Sequence, residues 1–284
     1  MSELADEVWT VEPRSTGWVA RWHEVWRYRR MFLFFGTRAV QRLYRNTLLG
    51  KSWILLRPLV PLLVRVFIFG ELLNLDAASP VPYFLFMAVG SAAWELFASS
   101  VMWVTRSLDM NSGMLSRLYV PRIIIPMATM APALLNFGIN VGIIAVALVY
   151  YRATAGIWYL DRTWLVVAPV AALLIVGMAL SIGLWTSVLA TAARDVRFIL
   201  GYILEFWVYL TPVVYPMSLV PEHLRWVMTL NPMAVFVVAF RGAILGGEGP
   251  TPTAWVVSLV LLIAALAAGL AFFHRAEAES VDNL

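Results

Sequence analysis

Between positions 53 and 273 the chain is a succession of apolar stretches of about twenty residues, separated by short polar loops. Such a stretch crosses a bilayer as an α-helix, because lipid offers no partner to a backbone amide or carbonyl left unsatisfied within the segment. We place six spans, at 53–73, 82–104, 123–151, 164–190, 199–219 and 254–273. The expected fold is all-α and integral to the membrane. It is a single domain over 1–284, with an N-terminal region at 1–52, the bundle at 53–273 and a tail at 274–284. With 61% hydrophobic and 13% charged residues, too little charge remains for a sizeable soluble domain, so any soluble catalytic engine belongs to another chain.

The few charges are unevenly placed. Arg14, Arg21, Arg27, Arg29, Arg30, Arg38, Arg42, Arg45 and Lys51 precede the first span, and Arg106, Arg117, Arg122, Arg194 and Arg197 fall in the second and fourth loops. The alternate loops hold only Arg152, Arg162, Arg225 and Arg241, so the positive-inside bias puts both termini in the cytoplasm. No cleavable signal peptide is expected, because the first thirty or so residues lack a continuous apolar core. Residues 18–30 set Trp18, Trp22, Val25 and Trp26 on one helical stripe with arginines elsewhere around the helix. That pattern suits an amphipathic helix in the membrane interface, and equally a soluble helix packing its tryptophans on protein.

The chain contains no cysteine and three scattered histidines, so neither a metal site nor a catalytic cluster is expected. Gly50-Lys51-Ser52 resembles the tail of a phosphate-binding loop, but Arg45 stands where that loop requires glycine and the segment runs into a span. Small residues recur at helix-contact spacing in Gly138/Gly142, Gly177/Ser181 and Ala265/Gly269, which fits close packing within the chain.

Two features point to a pathway. The first is the series Pro212, Tyr215, Pro216, Asn231-Pro232 and Phe240-Arg241, in which prolines free backbone groups that protein or a water-filled cavity has to receive. The second is the set of ionisable residues at membrane depth, Arg57, Arg65, Glu71, Glu95 and Glu205. Arg57 and Arg65 can meet an anionic head group; alternatively Arg57 snorkels and Arg65 pairs with a glutamate. Trp94, Phe97, Phe206 and Tyr209 lie where rings either line a conduit for sugars or pack as ordinary membrane aromatics.

Three stretches together resemble the membrane subunit of type-2 ABC exporters of cell-surface polysaccharides, the family that includes O-antigen, teichoic acid and capsule exporters. They are 42–53 (RLYRNTLLGKSW) followed by Pro58, 115–122 (LSRLYVPR) followed by Pro126, and the proline–Asn–Arg series above. Arg57 departs from the pattern, since several family members carry a neutral residue, often Gln, before that proline. The resemblance implies a homodimeric permease in the bacterial inner membrane with two copies of a separate nucleotide-binding subunit that holds ATP and Mg; this chain carries no cofactor and binds no nucleic acid. It implies a coupling segment at about 111–121, with Leu115, Arg117, Tyr119, Pro121 and Arg122, and a second contact at Arg194, Asp195 and Arg197. It further implies that Arg38, Arg42, Arg45, Lys51 and Arg57 face a lipid diphosphate, although the same charges suit plain attraction to anionic lipid. Short re-entrant helices around 221–230 and 233–245 would form an external gate with Pro212, Tyr215, Pro216, Asn231, Pro232 and Arg241. The expected cargo is a polyprenyl-diphosphate-linked polysaccharide, with a drug or small-lipid exporter of the same architecture, or a membrane-embedded glycan transferase, as alternatives.

Overall fold

The computed structural model describes residues 28–44, 50–79, 81–115, 122–247 and 249–282, and all regular structure among them is helical. The elements are α1 (Arg29–Tyr44), α2 (Trp53–Arg65, continued by a wider turn at Val66–Leu72), α3 (Tyr83–Thr105), α4 (Ser107–Leu115), α5 (Ile124–Thr129), α6 (Ala131–Ala155), α7 (Trp164–Ala192), α8 (Asp195–Trp207), α9 (Arg225–Leu230), α10 (Pro232–Leu245) and α11 (Pro252–Asp282). Among the described residues, five helical stretches are long and apolar enough to cross a membrane: Trp53–Leu72, Tyr83–Gly113, Ile124–Ala155, Trp164–Ala192 and Pro252–Ala276. A sixth arises if Glu222–Leu230 and Pro232–Leu245, which meet at 96°, count together as one.

α3 is apolar on nearly every side and is therefore the axis of the bundle. Leu85, Met87, Val89, Ala93, Phe97, Val101 and Val104 are all fully enclosed, packed by α6, α7 and α10. α10 is likewise buried around its circumference. It starts with Pro232 at its first position and stops at Gly246, whose φ of 75° a β-carbon would disfavour. The 157–163 loop is tied to that end by Asp161 N–H, which donates to the Ile244 carbonyl at 2.9 Å.

Two of the three small-residue pairs work within the chain. A β-carbon on Gly269 of α11 would lie 2.8 Å from the Ser181 carbonyl of α7, and Gly177 faces Leu262 of α11. Gly138 and Gly142 of α6 face open space.

The expected fifth span at 199–219 is corrected. α8 and its terminal tight turn reach only Leu210, and the chain through Pro216 is irregular. Asp195 to Leu210 is sixteen residues, about 24 Å at 1.5 Å per residue and short of a bilayer core of roughly 30 Å. Pro212 explains the stop: Thr211 before it is extended, with φ −116° and ψ 134°, as the proline ring requires. Helices do form at the two later positions expected from sequence, as α9 and α10. The tryptophan stripe of residues 18–26 lies outside the described residues.

Candidate functional site

The break after α8 is where the sequence-singled residues converge. Thr211, Pro212, Val213, Val214 and Pro216 are buried, and the Leu210, Val213 and Val214 carbonyls are each met by a side chain from another element. Asn231 uses its whole amide. Its Nδ2 donates to the Leu210 carbonyl at 3.0 Å and to Thr211 Oγ1 at 3.1 Å. Its Oδ1 accepts from Trp207 Nε1 at 3.2 Å and from Met233 N at 3.1 Å. One residue thus closes the end of α8 and caps the start of α10.

Further along, Arg241 Nη2 donates to the Val213 carbonyl at 2.8 Å, and the Tyr83 hydroxyl donates to the Val214 carbonyl at 2.6 Å. The Tyr215 hydroxyl donates to the Tyr209 carbonyl at 2.9 Å. The guanidinium of Arg241 also lies 3.7 Å over the ring of Phe86. Four backbone carbonyls at the break, those of Tyr209, Leu210, Val213 and Val214, are thus received by protein side chains.

The aromatics divide. Trp94 and Phe97 are buried against Trp207, with ring centroids 5.3 Å apart for Trp94–Phe97 and for Phe97–Trp207. Through Trp207, which donates to Asn231, they adjoin the break. Phe206, on α8, and Tyr209, in the tight turn that follows it, are instead exposed, and Phe206 lines a shallow depression of about 490 Å³ with Ile199, Tyr202, Ile203, Trp207 and Leu210.

A second polar group lies at membrane depth. Arg65 Nη1 is 3.6 Å from Glu95 Oε1 and 3.4 Å from Ser91 Oγ, and Asn140 Nδ2 donates to Glu95 Oε2 at 3.2 Å. Of the two readings of Arg65, pairing with a glutamate is the one observed. Arg57, two helical turns earlier on α2, is exposed, and so are Glu71 and Glu205.

At the opposite end of the bundle, α1, α4, α5 and the start of α8 meet. Arg197 Nη1 and Asp109 Oδ2 form a 2.7 Å ion pair that ties α8 to α4. Arg42 Nη2 donates to the Met110 carbonyl at 3.3 Å, so α1 is fastened to the same helix. Partial burial, and then the neighbouring charge of Arg38, lower the pKa of Arg42 below the ordinary guanidinium value. Arg194 and Asp195 are exposed at the head of α8, and Arg122 stands in the turn before α5. Leu115 ends α4, and Lys51 lies in the short turn Gly50–Ser52. Arg45, Arg117, Tyr119 and Pro121 lie outside the described residues.

Sequence reading missed Gly90, Ser91 and Asn140. A β-carbon on Gly90 would collide with the Arg241 guanidinium and approach the Val213 carbonyl to 2.9 Å, so glycine is what admits the arginine. Glycine is common in membrane helices and gives no such hint by itself. Asn140, polar within an apolar stretch, was the available signal for the Glu95 group.

The sequence profile described as "ABC-2 type transporter" matches residues 31–245, from α1 to the end of α10. The chain is 28% identical over 206 residues to an O-antigen export system permease protein RfbA of Klebsiella pneumoniae, covering 72% of this chain and 76% of the relative. It is also 28% identical over 249 residues to the protein of that name in Myxococcus xanthus, covering 85% and 92%. In this family the membrane chain is a transport subunit, not an enzyme, and ATP is hydrolysed by a separate nucleotide-binding partner. A bundle of apolar helices and a profile match over most of its length together establish that the chain belongs to the ABC-2 type transporter family, as a multi-pass membrane permease.

Proposed function

We propose that this permease exports a polyprenyl-diphosphate-linked polysaccharide from the cytoplasmic to the outer side of the bacterial inner membrane, working as a homodimer with two nucleotide-binding subunits. The observation that carries the reading is the backbone break at 210–216, which acts as a seal. A break held by three side chains, from α3 and from α10 with its cap, is a closure that a conformational change can release. The named relatives, O-antigen export permeases, supply the substrate class.

The other parts fall into place around it. With the arginine-rich end facing the cytoplasm, α1, α4 and the head of α8 form one linked surface on which the partner docks. Movement of the segment from Leu115 to Arg122, and of Arg194, Asp195 and Arg197, transmits ATP-driven closure into α3 and α8. Arg38, Arg42, Arg45, Lys51 and the exposed Arg57 draw the lipid diphosphate toward the bundle. α9 and α10 act as short re-entrant helices of the external gate. The exposed apolar face of α8 is the surface for the second protomer, where Phe206 and Tyr209 border the conduit.

Co-expression with the adjacent ATP-binding subunit, reconstitution in nanodiscs and an ATPase assay with a polyprenyl-diphosphate oligosaccharide test this. Stimulation by the glycolipid, lost in the Arg117→Ala/Arg122→Ala double variant, is expected. A stable complex that ignores the glycolipid but responds to drugs or small lipids would replace the substrate and keep the architecture.

A further inference from the structure

Arg241 is out of keeping with the other cations that pair in this molecule. Arg65, Arg197 and Arg225 each lie within 4.0 Å of a carboxylate. Arg241, only 8% exposed, is paired with no carboxylate among the described residues. Its contacts are one carbonyl, that of Val213, and the face of Phe86; its Nε, fully enclosed, has no partner. Burying a guanidinium against a single dipole and a ring leaves its charge largely uncompensated, a costly state in a membrane bundle. The site is nevertheless built for it, since only glycine at position 90 leaves room for the guanidinium against α3.

The group that Arg241 holds belongs to the segment proposed above as the seal. Val213 and Val214 are buried in the irregular segment, and that segment is kept in place by side-chain bonds to its carbonyls rather than by a helical ladder. A diphosphate can take two parallel bonds from a guanidinium, where the Val213 carbonyl takes one, and brings the missing negative charge. An anion that binds Arg241 only when Val213 has let go shifts the equilibrium toward the released state by the full difference in affinity.

We propose that Arg241 is an anion site within the outer seal, at which a diphosphate head group displaces the Val213 carbonyl and thereby releases the 211–216 segment. The inference rests on the lipid-diphosphate reading above and adds to it that the cargo opens its own exit.

The chain's lack of cysteine makes the test direct. Val213→Cys is introduced, the complex with the ATP-binding subunit is placed in nanodiscs, and the rate of labelling by a water-soluble maleimide is followed alongside ATPase activity. The probes are geranylgeranyl diphosphate and geranylgeraniol. The diphosphate is expected to raise the labelling rate about threefold or more, the alcohol to leave it unchanged, and the increment to vanish in Arg241→Gln. Arg241→Met, uncharged and of about the same length as the glutamine, offers a second variant. Removing an uncompensated charge is not expected to prevent folding of either, which co-purification with the partner verifies. An equal increment in the uncharged variants overturns the proposal and leaves the substrate reading standing. So does ATPase stimulation by the diphosphate without any rise in labelling. Labelling that depends on Arg241 without ATPase stimulation supports the anion site and counts against the substrate reading. No response in either readout overturns both.

Discussion

At the scale of single residues, the seal depends on side chains that each do more than one thing. Asn231 donates twice and accepts twice, so Asn231→Ala strands the Leu210 carbonyl and the Trp207 indole together. We expect it to cost about 2–4 kcal/mol in thermal unfolding of the purified protein, whereas Thr211→Ala, which removes one of those partners, costs about 1 kcal/mol. Gly90→Ala forces a methyl group into the Arg241 guanidinium and is expected to cost about 1–3 kcal/mol. Adding Arg241→Gln, whose side chain is shorter, should recover part of that loss; strict additivity in the double-mutant cycle would show that the two residues do not compete for one space. Asn231 and Arg241 were legible in the sequence as members of the proline-broken series, whose freed backbone groups need receivers, and of the family pattern that the series resembles. Gly90 was not legible, since what it accommodates comes from a helix some 150 residues away in the chain.

At the scale of elements, hydropathy located the long helices to within a few residues and misjudged the one that matters most. The apolar run from 199 continues past Leu210 through Pro212 and Val213 to Leu219, yet the backbone stops being helical where proline removes a donor and forces Thr211 to extend. Composition cannot see that change, because the irregular segment is as apolar as the helix before it. Helix packing gives a cleaner contrast. Gly269→Leu is expected to disrupt the α7–α11 contact and lower stability strongly, while Gly142→Leu, on an open face of α6, leaves the isolated fold unaffected. Thermal unfolding of the two variants in detergent checks this. On α8, Ile203→Asp would place a charge in the outward apolar face without touching the core. If that face joins two protomers, the variant purifies as a monomer and loses the 202–202 crosslink that Tyr202→Cys otherwise gives; an unchanged crosslink would put the second protomer elsewhere.

For the whole molecule, the two ends of the bundle have different chemistry and are joined by α3 and α8. One end gathers arginines and the Asp109–Arg197 tie; the other holds the sealed break under Tyr83 and Arg241. The family was legible from three short stretches in the right order, and the profile match bears it out. The closed state of the seal was not, because the sequence shows which backbone groups are freed but not which side chains reach them. In the proposed export cycle those few bonds break and re-form, which suits a closure built from single hydrogen bonds rather than a packed core. The most direct measurement is flux. Inverted inner-membrane vesicles containing the permease and its ATP-binding subunit would be supplied with a radiolabelled polyprenyl-diphosphate oligosaccharide, and the fraction protected from added glycosidase followed with and without ATP. Protection that depends on ATP and is absent when the partner's ATPase is inactivated is expected. Vesicles that hydrolyse ATP yet leave the glycan fully accessible would contradict the proposed export.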